Sequence, residues 1–378
     1  MLGGTSTLGT AMIRTAASAR APRRILEPRA VFETLAREGS LARADLAGQT
    51  GLSRAAVARA LRMLVGAGAV VASGVGRVAL DPALGYAGAV YADRRGVQVA
   101  LVDPAGAVRA ERHAPCDDPE RRVEVIAALV RDCLSAVDAP LRLAVIGIPG
   151  AVGIDGSIQD DLGPDGGAVK AGLSAALGCP VAIENDVNLA ALAELSAGGA
   201  PRSFALLMLA DGLGAGIVID GALHRGAAGI AGEVMYLPQT PLPIGAPVLC
   251  DAVVGDLALT LGRDPDATID QHLEDAAQGD PVALEMAQEM GRRIALVAGT
   301  VALVVDPEVF VLSGSAAHPV LVDAVERVAA SYAARLTLRF RVASFGAEAP
   351  LVGAVGEAAS ALRETVFTRI LDAPDGAR

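Results

Sequence analysis

The sequence predicts an α/β chain with two parts: a small N-terminal winged helix-turn-helix module, and a large body in which one strand-and-helix unit occurs twice. Three observations lead there. Positive charge is concentrated in the first 80 residues, strands and helices alternate from Gly88 onward, and a strand-and-turn pattern at 92–108 returns at 210–223.

Composition narrows the class. At 52% hydrophobic and 20% charged, the 378 residues hold enough apolar mass for more than one core, which excludes a disordered chain. With 4 Tyr, 6 Phe and no Trp, those cores must be built from Ala, Val and Leu. Lys170 is the single lysine, a compositional bias and not a functional signal. The longest uncharged run, Val234 to Cys250, is broken by four prolines, so no membrane span is expected. The N-terminus lacks an apolar signal region, and residues 1–24 read as a disordered leader, although their arginines and lack of acids are shared with organellar presequences. Cys116, Cys133, Cys179 and Cys250 form no CxxC pair, so neither a zinc site nor a disulfide framework is expected, and a reducing cytoplasm fits.

The net charge of −11 argues against a nucleic-acid partner until the chain is divided. Residues 1–80 carry 11 arginines against Glu27, Glu33, Glu38 and Asp45, a balance of +7 that leaves −18 on the remainder. A basic segment joined to an acidic body suggests that one part meets phosphates. Within it, helices are expected at Pro28 to Glu38, at Arg43 to Thr50 and from Ser53 onward. Ser53 serves as cap of the third helix, with Val57, Leu61 and Leu64 on one face and Arg54, Arg59 and Arg62 elsewhere. The next segment, GAVVASGVGRVAL, alternates like a two-stranded wing with its turn at Ser73 to Gly76 and Arg77 at its edge. Residues 25–82 are therefore expected to bind a double-stranded DNA operator, with Ser53, Arg54, Arg59 and Arg77 as contacts. The bland alternative is a small helical bundle that packs against the body.

From residue 83 the body opens with three short antiparallel strands, a helix over Arg121 to Val137, the strand LAVIGIPG, a helix over Val169 to Leu177, the strand PVAIEN and a helix over Val187 to Ala197. A second unit starts at Phe204 and supplies a helix over Val282 to Val304, the strand EVFVLSG, a helix over Val320 to Arg335 and a last helix after LVGAVG. A meander plus helices, present twice, predicts an actin-like, ribonuclease-H-like body of two lobes over residues 83–378, whose cleft is the default ligand site.

Five stretches carry a family resemblance: IGIPGAV at 146–152, IENDVNLAALAEL at 183–195, ADGLGAGIVIDGALHRGAAGIAGEV at 210–234, DPEVFVLSG at 306–314 and LVGAVGEA at 351–358. With the N-terminal module they resemble the ROK family of sugar kinases and sugar-responsive repressors, most of all its xylose and N-acetylglucosamine repressors. The resemblance implies that Asn185, Asp186 and Glu233 bind sugar hydroxyls, a task for which carboxylates suit. The plain alternative for Asp186 is a cap on a helix beginning at Val187.

Departures from the family shape the functional expectation. Where the kinases open with DxGGT, this chain has Tyr91-Ala92-Asp93-Arg94-Arg95, so both phosphate-cradling glycines are gone. Ala210-Asp211-Gly212 stands where the second phosphate loop would be, with a negative charge in it. Tyr236 replaces the family's zinc histidine, and the cysteine motif gives way to the segment Pro238 to Pro247, with Cys250 alone nearby. The expectation is a cytoplasmic transcriptional regulator, a repressor, that is not an enzyme and uses no metal or cofactor. A sugar or related small molecule would be its effector, and a homodimer or tetramer its assembly. The alternatives are an active sugar kinase with an appended DNA-binding domain, and a ligand-independent regulator working through protein contacts.

Overall fold

A computed structural model describes residues 23–159, 166–239, 246–332 and 336–372. The expected leader falls outside these residues up to position 22. The first helix, α1 (Arg23–Glu38), starts earlier than Pro28, with the proline inside it. After β1 (Leu41–Ala42) come α2 (Arg43–Thr50), α3 (Arg54–Gly66), β2 (Val70–Ala72) and β3 (Arg77–Leu80). Gly51, at φ +68, ends α2, and Ser53 Oγ accepts the Ala56 amide at 3.2 Å to cap α3. Val31, Phe32, Leu35, Leu46, Val57, Leu61 and Leu64 are buried, each contributing roughly 1.5–3 kcal/mol by leaving water. β3 pairs antiparallel with β2 on one side and with β1 on the other, so the hairpin has a third, two-residue strand that the alternation pattern had not indicated.

The chain clusters into two compact units, residues 1–184 with 354–378, and residues 185–353. The first unit continues with β4 (Tyr86–Ala92), β5 (Gly96–Val102), β6 (Val108–Pro115), α4 (Arg122–Leu134), β7 (Leu141–Ile148), a β8 (Ala151–Val152) and β9 (Ile158–Gln159) ribbon, α5 (Gly166–Leu177) and β10 (Val181–Asn185). Its sheet has the order β10-β7-β4-β5-β6, with β4 parallel to β7 and antiparallel to β5. Val90, Ala92, Val99 and Ile146 of this sheet form a core with Ile126, Val130 and Cys133 of α4 and Leu173 of α5.

The second unit contains α6 (Asp186–Ser196), β11 (Phe204–Leu209), β12 (Leu213–Ile219), β13 (Ala222–Leu223), α7 (Asp251–Thr260), α8 (Ile269–Ala277), α9 (Pro281–Val305), β14 (Val309–Gly314), α10 (Pro319–Ala329), β15 (Phe340–Val342) and the first turn of α11 (Ala349–Asp372). Its sheet runs β13-β12-β11-β14-β15. Numbered within each unit, both sheets have the order 3-2-1-4-5, and strand 1 lies antiparallel to strand 2 and parallel to strand 4 in each. The expected duplication is therefore present in the topology. Period-two alternation buries both faces of β11: Phe204, Leu206 and Met208 pack with Val187, Ala190 and Ala191 of α6, while Ala205, Leu207 and Leu209 join the layer of α7 to α10.

Some boundaries differ from the sequence-based expectation. Helices α7 and α8 were not anticipated, and α10 ends at Ala329, with 333–335 outside the described residues. LVGAVG lies inside α11 and not before it. Gly353 permits this, because a Cβ there would lie 1.9 Å from the Leu189 carbonyl oxygen. Within the first unit, α11 also receives α1: the Phe32 and Phe367 ring centroids are 5.7 Å apart, Arg29 lies over Phe367 and pairs with Glu364, and Arg363 reaches Glu33 at 3.4 Å.

Candidate functional site

Residues proposed for ligand contact cluster around β12. At the start of α6 the Asn185 side chain accepts the Asn188 amide at 3.0 Å and is the helix cap, while Asp186 is already helical. The sequence-level alternative of Asp186 as cap is thus corrected, because the helix begins one residue earlier than the pattern suggested. Asp186 is buried, and its Oδ1 accepts the neighbouring Val187 amide at 2.8 Å.

The glycine run 212–216 explains how α6 reaches this position. A Cβ at Gly214 would lie 2.7 Å from a Val187 methyl, and one at Gly216 would lie 2.8 Å from the Val187 carbonyl oxygen. These glycines therefore serve helix-to-strand packing. At the other end of α6, Glu194 is fully buried and holds Arg341 at 2.8 Å and the Ser344 hydroxyl at 3.1 Å, as well as the Ser344 amide. Glu194, Arg341 and Ser344 were not singled out from the sequence, since residues about 150 positions apart leave no local signal.

Beyond β13 the edge of β12 is paired by the loop that carries Glu233. Leu213 donates to the Leu249 carbonyl, Ala215 to Gly232 at 2.9 Å, and His224 to Ile217. Gly232 has φ +100, and a Cβ would collide with the Ala215 oxygen at 1.9 Å, so only glycine fits. The next residue, Glu233, is half-buried, and its side chain makes no hydrogen bond or ion pair among the described residues; burial pushes its carboxyl above the ordinary glutamate range. The structure thus places Asn185 and Asp186 side by side, and docks the Glu233 loop on the same strand that supports α6.

The loops expected to have lost nucleotide contacts are filled from within. Asp93 Oδ1 accepts the amides of Arg95 at 2.8 Å and Gly96 at 3.0 Å, occupying donors that a phosphate would need. Asp211 stands in the β11–β12 turn, and its carbonyl accepts the Asp251 amide at 3.1 Å. The family's zinc does not fit: Tyr236 is exposed, Cys250 sits at the N-cap of α7, and among the described residues no three His, Cys, Asp or Glu could hold a metal ion.

In the N-terminal helices, Ser53 is occupied as the cap of α3. Arg54 is exposed, and its side chain makes no hydrogen bond or ion pair among the described residues. Arg59 lies against Glu27 at 3.0 Å, and Arg77 donates to the Ser40 hydroxyl at 3.1 Å and to the Ser40 carbonyl. Two of the three candidate arginines are therefore engaged within the protein.

A model of the ROK family matches residues 89–360. The chain is 30% identical over 177 residues to a glucokinase of Streptomyces coelicolor, covering 39% of this chain and 55% of that protein. It is 51% identical over 57 residues to a xylose repressor of Caldicellulosiruptor bescii, or 15% of this chain and 14% of that one. The chain spans about half the length of the curated relatives it matches. Among solved structures, a ROK family transcriptional regulator, a homolog of the Escherichia coli MLC protein, aligns with TM-score 0.72 at 19% identity, over 93% of this chain and 99% of its own. A ROK glucokinase from Streptomyces griseus in complex with glucose and AMPPNP aligns with TM-score 0.59 at 23% identity, over 72% and 99%. No described helix is long and apolar enough to cross a membrane. The family match spans well over half the chain and takes in α6, β12 and the Glu233 loop: this protein belongs to the ROK family.

Proposed function

We propose that this chain is a cytoplasmic DNA-binding transcriptional regulator, a repressor, whose ROK body takes a sugar or related small molecule without phosphoryl transfer. Residues 25–82 form a winged helix-turn-helix and residues 83–378 the effector and oligomerisation body. The observation that carries this reading is the Asp93 carboxylate sitting on the Arg95 and Gly96 amides, because phosphoryl transfer depends on a positioned phosphate chain. Support comes from the alignments: the solved regulator covers 93% of the chain and the solved kinase 72%, a difference the size of the N-terminal module. The exposed Arg54 at the start of α3 and the local charge of +7 suit a phosphate-rich partner.

Effector binding rests on Asn185, Asp186 and Glu233. A single helix-turn-helix buries too little surface for tight specific binding, so a homodimer or tetramer presents two copies to paired half-sites. The second reading, an active kinase, is favoured by the retained Asp186 and Glu233 and by the glucokinase relatives. Fluorescence anisotropy on the protein's own upstream DNA, with and without a panel of sugars, tests the regulator. The expected result is tight binding released by one sugar class. ATP turnover with any hexose in a coupled assay would overturn it.

A further inference from the structure

The β2–β3 hairpin ends in an uncharged tip. No charged residue occurs from Ala67 to Gly76 (AGAVVASGVG). The turn is closed by Ser73 donating to the Arg77 carbonyl at 3.0 Å, and Arg43 donates to the Gly76 carbonyl at 3.3 Å. Gly74 and Gly76 take φ +104 and +70, and Val75 between them is fully exposed. Among the described residues, the amides of Gly74, Val75 and Gly76 make no hydrogen bond. The cation next in sequence points elsewhere, since the Arg77 guanidinium is spent on the hydroxyl and carbonyl of Ser40.

We propose that this tip, and not Arg77, is the DNA contact of the wing. It enters a minor groove as an uncharged wedge, with Val75 against the sugar walls and the Gly74 to Gly76 amides donating to a phosphate. The proposal rests on the DNA-binding reading above. A minor groove is about 6 Å wide, and glycines on both sides leave a single small side chain to fit it. Apolar side chains serve as minor-groove wedges, and backbone N–H groups are ordinary phosphate donors. Exposing an isolated valine on a charge-free turn gains nothing for the fold, whereas covering it on DNA removes apolar surface from water. Arg77 is a positioning residue: its two bonds to Ser40 fix the hairpin against the segment that leads into β1.

Salt dependence separates the two roles, because each lost cation–phosphate contact lowers the slope of log K against log salt by about 0.9 and an uncharged contact leaves it alone. The test uses the full chain, with a duplex of about 30 base pairs selected by the protein from a randomised pool, long enough for two half-sites. Anisotropy titrations at several salt concentrations would follow. Val75→Ser is expected to weaken binding about five- to twenty-fold with an unchanged slope, the loss of one buried apolar side chain. Val75→Lys should steepen the slope by about one unit, and Arg54→Ala should flatten it by about one. Arg77→Ala should weaken binding at constant slope. Wild-type affinity in Val75→Ser, or a slope flattened by Arg77→Ala, overturns the proposal while leaving DNA binding intact. If the unmodified protein enriches no duplex and binds none, the DNA-binding reading itself falls.

Discussion

Gly216 and Ala191 meet so closely that a Cβ on the glycine would lie 2.5 Å from the alanine methyl. This contact sets how near α6 lies to β12, and so where Asn185 and Asp186 stand. A larger residue at 216 must push the helix away, since the Val187 carbonyl oxygen is only 2.8 Å from the same point. Gly216→Val is expected to lower stability by about 1–3 kcal/mol, the usual cost of overpacking, measured by urea unfolding. Effector response should fall with it, as the helix that carries Asp186 is displaced.

The far end of α6 depends on charge. Glu194 is fully buried and is satisfied by Arg341 and Ser344. Arg341→Ala leaves a buried carboxylate without its cation and should cost about 3–5 kcal/mol. Replacing both, Glu194→Met with Arg341→Met, removes the stranded charge, and its loss should be smaller than that of Arg341→Ala alone. A double variant no more stable than the single one would contradict this account.

Much of this architecture was legible because it is written locally. The start of the second unit at Phe204 matches the first residue of β11, and Ser53 marks the start of α3 three residues before the amide it accepts. The missing parts are long-range. Arg59 and Arg77 read as free cations until Glu27 and Ser40, 32 and 37 residues away, are found beside them. Gly214 and Gly216 carry no local signal of their role, and only the docked helix shows that they accommodate Val187 and Ala191. The sequence reading puts the last helix after LVGAVG, whereas α11 contains it; packing of Gly353 against the Leu189 carbonyl overrides the low helix propensity of glycine.

Glu27 restrains the α3 cation Arg59 at 3.0 Å. The pair is solvent-accessible, so Glu27→Gln should change stability by less than about 1 kcal/mol. Its effect belongs to binding: an unpaired Arg59 is available to phosphate. DNA affinity should rise, and the salt slope should steepen by about one unit if the freed side chain meets a phosphate. Anisotropy with Glu27→Gln that matches wild type at every salt concentration would show that Arg59 faces away from DNA.

Glu233 offers a pH signature. Burial raises its folded-state pKa above the unfolded value, so across the interval between the two the folded chain binds more protons than the unfolded one. Stability contributed by this residue therefore falls as pH rises through that interval, the reverse of a salt-bridged carboxylate. Glu233→Gln should match the parent near pH 3, where both forms are neutral, and exceed it in stability near pH 8. Parallel urea titrations at the two pH values read the difference. Hydroxyl donors from a bound effector would stabilise the charged carboxylate, so binding should release protons and tighten as pH increases.

Asp186 tests whether the start of α6 is an effector site. It is buried, yet one of its oxygens already holds the Val187 amide, so Asp186→Asn retains an oxygen acceptor and should fold. What changes is the charge available to sugar hydroxyls, whose bonds to a carboxylate are roughly twice as strong as those to a neutral amide. An effector shifts the protein only by binding one state better than another, so losing that differential affinity removes induction and leaves the DNA-bound state untouched. Asp186→Asn is expected to bind operator DNA with wild-type affinity and to ignore sugars that release the parent. Anisotropy with and without the sugar panel reads both quantities in one experiment. Full induction in the variant would place the effector away from Asp186 and reduce that residue to a structural part of the first turn of α6.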